Sequence, residues 1–439
     1  MRAIFGRLHR WAGLLTAAFL FFSGVTGAII SWDHEIDETL NAKFYDVSTP
    51  GPAISSVDLV KQIESRDPRA RVIFFPMTPE PGHSLAFFVQ PRIDPSTGKR
   101  YALDYNQIFL DPNTGAELGR RYWGAVWPVT SENFVSFLYK LHYTMHVPEF
   151  WGSDRWGARL LGIIAIIWTI DCFVGFYLTL PARRLLRAGQ APAVKRELGK
   201  GFWARWAPAW KIKTSGSAYR INFDIHRAFS LWTWAVLFVV AFTAFSLNLY
   251  FEVFSPIMKT VSNYTPTPFE QRPYRSLDDP IEPKMNFAQI AARAEADGRA
   301  RGFTAPLGSL FYGPAHGVYA AAFFKPGDDH GAAGVGPAQL YYDSEDGRPI
   351  GDRLPWVGTA ADIFVQMQFP LHSGRILGLP GRILISAMGL VVAALSVTGV
   401  VIWWRKRRAR IASRRGAARA GSRPAGSRWD VASEPERAG

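Results

Sequence analysis

Apolar residues along this chain gather into four runs, at 11–32, 160–180, 228–251 and 383–404, and Asp171 is the one charged residue inside any of them. At about 1.5 Å of rise per residue, a helix over the first run covers the roughly 30 Å hydrocarbon core of a bilayer. Each run predicts a transmembrane helix. Arg2, Arg7 and Arg10 ahead of the first run also suit the start of a cleaved signal peptide. The apolar stretch of such a peptide is only about 7–15 residues long, which favours an uncleaved span.

Between the first two runs the pattern becomes that of a soluble domain. At 56–70, Val57, Val60 and Ile63 recur three apart behind a serine cap, which predicts a short amphipathic helix. Runs rich in strand formers follow at 72–75, 85–90 and 107–110, the last entering the turn Asp111-Pro112-Asn113-Thr114-Gly115. A further amphipathic helix is expected at 132–146, placing His142 and His146 on one face. The second half repeats this plan, with a helix at 286–296, strands at 309–312, 318–324 and 339–342, and the turn Asp343-Ser344-Glu345-Asp346-Gly347. Leu371-His372 precedes the last run as Leu141-His142 precedes the second, and His226-Arg227 opens the third run as His9-Arg10 opens the first. The runs also share small-residue steps at Thr26-Gly27, Val174-Gly175, Thr243-Ala244 and Thr398-Gly399. The chain reads as a tandem duplication of span, α+β unit, Leu-His and span.

Composition supports the membrane reading, since 48% of the 439 residues are hydrophobic, with 16 Trp and 31 Phe. The net charge of +14 would suggest nucleic acid until it is mapped: the first ten residues hold 3 basic residues, 182–227 hold 11 and the tail from 405 holds 11. The positive-inside rule puts these segments in the cytoplasm with both termini, and the two long loops outside, so no nucleic-acid partner is needed. One cysteine, Cys172, excludes an intramolecular disulfide.

The duplication relates His9 to His226 and His142 to His372. Both halves cross the membrane in one direction, so a pseudo-two-fold axis along the bilayer normal would bring equivalent residues face to face. Two facing neutral imidazoles can supply both axial bonds of a haem iron, with His9 and His226 at the cytoplasmic face and His142 and His372 at the outer face. Arg10, Arg227 or Arg375 would meet the propionates. No Cys-x-x-Cys-His is present, so the haems, two of them, would be of b type. A His-Arg pair at a helix start can also be a plain interfacial anchor. His146 is an alternative outer ligand, and Asp171 is open between a functional role and a hydrogen bond to a neighbouring span. His34, His83, His316 and His330 show no metal-ligand spacing and are read as surface or core residues.

These stretches resemble the PepSY-associated transmembrane proteins, also called iron-regulated membrane proteins. The likeness covers nearly the whole chain to about Arg408. It rests on LHRWAGLL with Glu35-Ile36-Asp37, LHYTMH, DIHRAFSLW, the block from LHSGRILGLPGR to VTGVVIWWRKRR, and the paired DPNTG and DSEDG turns. Departures are His34 ahead of the acidic motif, Ala244 where the other spans have glycine, and DSEDG itself. The resemblance implies an α-helical membrane protein, a bundle of four transmembrane helices from a tandem repeat carrying two periplasmic α+β PepSY-like units. The expected segments are 1–32 with the first span, a periplasmic unit at 33–156, a span at 157–181, a basic cytoplasmic loop at 182–227 and a span at 228–251. A second unit at 252–378, a span at 379–404 and a disordered basic tail at 405–439 complete the chain. The implied activity is that of an inner-membrane di-haem reductase of a ferric siderophore or other periplasmic acceptor, fed by quinol or a separate cytoplasmic reductase, with His9, His142, His226 and His372 as haem ligands. The alternative is a non-enzymatic membrane protein that binds a periplasmic partner or assists an iron transporter.

Overall fold

The computed structural model describes residues 1–151, 153–182 and 201–421. The first apolar run lies in helix α1 (Arg2–Ile30), and α2 (Asp33–Leu40) turns the chain out of it. Helix α3 (Ser56–Arg66) then leads into strands β1 (Ala70–Pro76), β2 (Leu85–Pro91), β3 (Gln107–Leu110) and β4 (Glu117–Arg121). Helix α4 (Phe134–Thr144) precedes the long α5 (Trp156–Thr179). The second half follows with α6 (Ala218–Trp232), α7 (Trp234–Asn248) and α8 (Phe287–Ala300). Strands β5 (Leu307–Gly313), β6 (Val318–Phe323), β7 (Ala338–Asp343) and β8 (Pro349–Arg353) come next, before the short α9 (Gln368–Ser373) and the closing α10 (Leu379–Gly421).

Helices α1, α5 and α10 are each long and apolar enough to cross a membrane; α6 and α7 pass together but meet at a bend of 73°. The uninterrupted third span expected at 228–251 therefore does not form. Thr233 leaves helical geometry (φ −107°, ψ 4°), its hydroxyl donates to the Phe229 carbonyl, and the Trp232 indole donates to the Trp210 carbonyl at 3.2 Å. The tail corrects a second expectation, because residues 405–421 continue α10 where disorder was expected from 405. Arg, Lys and Ala are strong helix formers, which accounts for it. The rest of the expected tail, from 422, and residues 183–200 of the basic loop lie outside the described residues.

Close approach of the long helices depends on small residues. A Cβ at Gly24 in α1 would come within 2.6 Å of the Gly389 carbonyl in α10, and one at Gly389 within 2.4 Å of the Gly24 carbonyl. Where backbones touch this closely, dispersion over a large area replaces the hydrophobic effect that lipid cannot supply.

The expected strands form close to their expected positions, and the two units are not separate. All eight strands make one antiparallel sheet in the order β4-β3-β2-β1-β5-β6-β7-β8, joined at the centre by β1 and β5 with Phe74 opposite Phe311. Helices α3 and α8 close a single core over this sheet, in which Leu59, Ile63, Phe75, Phe87, Ile290 and Leu310 are buried together. Phe75 of the first half packs edge-on against Phe287 of the second, with ring centres 4.9 Å apart. The outer strands β4 and β8 (ELGRR and PIGDR) lack the alternation that would have announced them. The two turns match in detail: Asp111 Oδ1 accepts from the amide of Asn113 and Asp343 Oδ1 from that of Glu345, while Gly115 (φ 69°) and Gly347 (φ 70°) close them.

A buried ion pair ties α2, which follows α1, to this sheet. Arg121 on β4 donates two parallel hydrogen bonds to Asp37 on α2, at 2.9 and 2.6 Å, and Tyr45 and Asn41 donate to the same carboxylate. Burial alone would raise the Asp37 pKa, but Arg121 beside it holds it below the usual carboxylate range. The stability it contributes is therefore full above the unfolded-chain value near 4 and fades as pH falls through the lower folded value. Asp37→Ala leaves a buried guanidinium unpaired and is expected to cost about 3–5 kcal/mol in denaturant unfolding of the detergent-solubilised chain at pH 7. The gap to wild type should narrow below about pH 4. A gap that stays constant with pH would place the loss in packing rather than in charge.

Candidate functional site

The helices bring the four repeated histidines into two pairs. The rings of His9 (α1) and His226 (α6) have centres 6.3 Å apart, and those of His142 (α4) and His372 (α9) lie 6.2 Å apart, each pair tilted by 55°. A metal–imidazole bond of about 2.0–2.1 Å, with about 1.1 Å from nitrogen to ring centre, sets two rings on opposite sides of one ion roughly 6.3 Å apart. Both pairs have that spacing.

What orients the rings is a hydrogen bond at Nδ1 in every case. The hydroxyl of Thr398 donates to the carbonyls of Ala394 and Leu395 in its own helix, so towards His226 Nδ1, at 2.9 Å, it is the acceptor. Thr243 stands in the same way to His372 at 3.0 Å, its own proton going to the carbonyls of Val239 and Val240. Thr26 does so for His142 at 3.2 Å, and the Ser23 carbonyl accepts from the same Nδ1 at 3.0 Å. His9 differs: its partner helix carries Val174 where the others have threonine, and Asp171, one turn earlier, accepts at 2.9 Å. An acceptor at Nδ1 fixes the proton there and leaves Nε2 with a free lone pair, the state in which imidazole ligates a metal. Among the described residues no hydrogen bond engages Nε2 of any of the four. Asp171 is thus the orienting partner of His9.

Glycines behind the threonines let the rings lie against the partner helix. A Cβ at Gly27 would come within 2.9 Å of His142 Cε1, one at Gly399 within 3.2 Å of His226 Cε1, and one at Gly175 within 3.6 Å of His9 Cε1. The small-residue steps visible in the sequence are these contacts. His146 is not brought to the outer pair: its Nε2 donates to the Phe137 carbonyl at 2.9 Å and its ring stacks on Phe137. The outer pair is His142 with His372.

A cavity of about 410 Å³ opens around the inner pair, lined by His9, His226, Gly13, Gly175 and Gly399 and by apolar side chains. Arg10, Arg227, Lys406 and Arg410 line it too, and the Nε atoms of Arg10 and Arg227 are buried without a hydrogen-bond partner. Two bare imidazole nitrogens, an apolar slot and unsatisfied guanidinium donors fit an iron porphyrin with its propionates. At the outer pair, Arg375 lies three residues after His372 and is 3.8 Å from Asp33. Leu237, Met388 and Val392 form an apolar cluster with Leu20, Trp168 and Phe238 against them, and Leu20, Trp168, Leu237 and Val392 also line the cavity.

The family model for the PepSY-associated TM region matches residues 6–406, nearly the whole described chain. No curated protein matches.

The glycine contacts give a test that leaves every histidine in place. If the two pairs hold haem, Gly27→Val should displace the His142 ring and remove about half of the haem absorbance of the purified chain, and Gly399→Val the other half. Gly175→Ala, where a Cβ makes ordinary contact at 3.6 Å, should keep all of it. Equal retention by both valine variants would mean that ring seating does not govern the sites.

Proposed function

This chain belongs to the PepSY-associated transmembrane family, and on that premise we propose that it is a bacterial inner-membrane cytochrome with two b-type haems that passes electrons outward to a periplasmic acceptor, a ferric siderophore above all. The observation that carries this reading is the meeting of four histidines in two pairs, each oriented through Nδ1 with Nε2 left bare.

In this reading the bent α6–α7 pair counts as the remaining membrane crossing, the basic segments lie inside, and the eight-stranded sheet lies in the periplasm. Bound haem supplies a one-electron carrier at each end of the bundle. The chain's residues do the rest. His9 and His226 would hold one group and His142 and His372 the other, while Asp171, Thr26, Thr243 and Thr398 keep the ligands in one tautomer and orientation. Arg10 would neutralise an acidic group at the inner site, while Arg227 and Arg375, whose charges are matched by Asp224 and Asp33, would offer hydrogen-bond donors. Along α1, His9 and the Gly27 that seats His142 are 18 residues apart, about 27 Å, so the two sites serve opposite faces of the bilayer. The apolar cluster of Leu237, Met388 and Val392 would keep water and protons out of the path. Electrons would enter from quinol or from a separate cytoplasmic reductase.

Pyridine haemochrome analysis of the purified chain should give two haems, falling to one in His9→Ala, His226→Ala, His142→Ala or His372→Ala and staying at two in His146→Ala. With donor and a ferric siderophore supplied, the outer variants should abolish formation of Fe(II) while the inner haem still becomes reduced. The inner variants should leave an outer haem that dithionite reduces and the donor does not. Absence of haem after expression with ample haem supply would overturn this reading in favour of a non-enzymatic protein that binds a periplasmic partner or assists an iron transporter.

A further inference from the structure

We infer that His34, Asp329 and His330 form a binding site for a divalent first-row transition-metal ion beside the outer histidine pair. His34 opens α2 directly after α1, whereas Asp329 and His330 lie in the loop from β6 to β7 in the other half of the chain. The fold brings one ligand atom from each of the three within 4.8 Å of the others. The His34 and His330 rings have centres 6.0 Å apart at 90°, so a small side-chain rotation brings both onto one ion, and His330 Nδ1 is 2.5 Å from Asp329 Oδ1. Two imidazoles and one carboxylate, with further positions open to solvent, are a donor set for Fe(II), Co(II) and Zn(II). His34 and Asp329 are exposed and His330 is half-buried, so an ion can enter directly from the outer side.

The loop is held in place for this. Gly336 donates its amide to the His330 carbonyl at 2.8 Å, and Gly334 (φ 74°) lies so close to the turn after α9 that a Cβ there would come within 2.6 Å of the Arg375 Cβ. Arg375, which would otherwise repel a cation, has Asp33 at 3.8 Å, and Arg382 is paired with Glu35 at 2.8 Å, so the nearby positive charges are already matched. None of the three residues belongs to either histidine pair, and binding does not rest on the haem reading. If that reading holds, one electron passed to a ferric chelate leaves Fe(II), which the chelate holds more weakly, and these three side chains offer it ligands.

The test is Co(II) and anaerobic Fe(II) binding to the purified, tag-free, chelator-stripped full chain in detergent, by equilibrium dialysis and, for Co(II), by its visible d–d absorption. One equivalent should bind with a Co(II) spectrum showing nitrogen ligation. It should be lost in the His34→Ala/His330→Ala double variant and weakened tenfold or more in Asp329→Asn. His9→Ala and His372→Ala should retain it whether or not they hold haem, which separates this site from the paired histidines. His34 and Asp329 are exposed and His330 half-buried, and an unchanged circular dichroism spectrum confirms that the variants fold. Absence of binding in wild type, or equal uptake by wild type and the double variant, overturns the proposal.

Discussion

Everything in the membrane half of this protein depends on where the Nδ1 proton of each paired histidine goes. A hydroxyl or carboxylate on the neighbouring helix accepts it, and that one hydrogen bond sets tautomer, ring plane and the direction of Nε2 together. The acceptor must sit on a helix close enough to reach, so the same step carries a small residue that admits the ring. At Gly27 and Gly399 an added Cβ would come as near as 2.9 and 3.2 Å. The packing of the helices and the chemistry of the pairs are therefore one requirement.

The histidine pairs were legible in the sequence because His9 and His226, and His142 and His372, stand in matching local settings in the two halves. The small-residue steps were legible as well, although their meaning was not: nothing in a linear reading tells a threonine that bonds only its own helix from one that also receives a histidine proton. Asp171 shows the same limit. Its cost in mid-span marked it, but its partner is 162 positions away and appears only once α1 and α5 are packed. His34 and His330 read in the sequence as surface or core residues, and their meeting with Asp329 was not legible, since groups drawn from separate halves of the chain have no spacing to detect. Strands β4 and β8 were hidden for a local reason, because outer strands in contact with water need not alternate.

The 73° bend between α6 and α7 was hidden for a different reason. Residues 228–251 carry no charge, and hydropathy does not distinguish a straight run from two segments meeting at Thr233. On its polar side Asp224 is fully buried, paired with Arg220 and Arg227 of the same helix and accepting from the Lys213 amide, while Arg227 donates to the Pro208 carbonyl. The contacts of Asp224, Arg227 and Trp232 with Lys213, Pro208 and Trp210 hold α6 against the segment before it, and the chain leaves α6 in a new direction at Thr233.

The central seam of the sheet, where β1 meets β5 and Phe74 faces Phe311, bears on how such a chain could arise. Half of it alone would expose the whole hydrogen-bonding edge of β1, an invitation to aggregate. Antiparallel pairing with the same edge of an identical copy removes that hazard and generates a two-fold dimer. The same dimer would set equivalent histidines opposite one another without further design. Fusing the copies into one gene product keeps the symmetry of the contact while freeing each half to change alone. Asp171 and Val174 facing one member of the inner pair, with Thr398 facing the other, are what that freedom looks like in the present molecule.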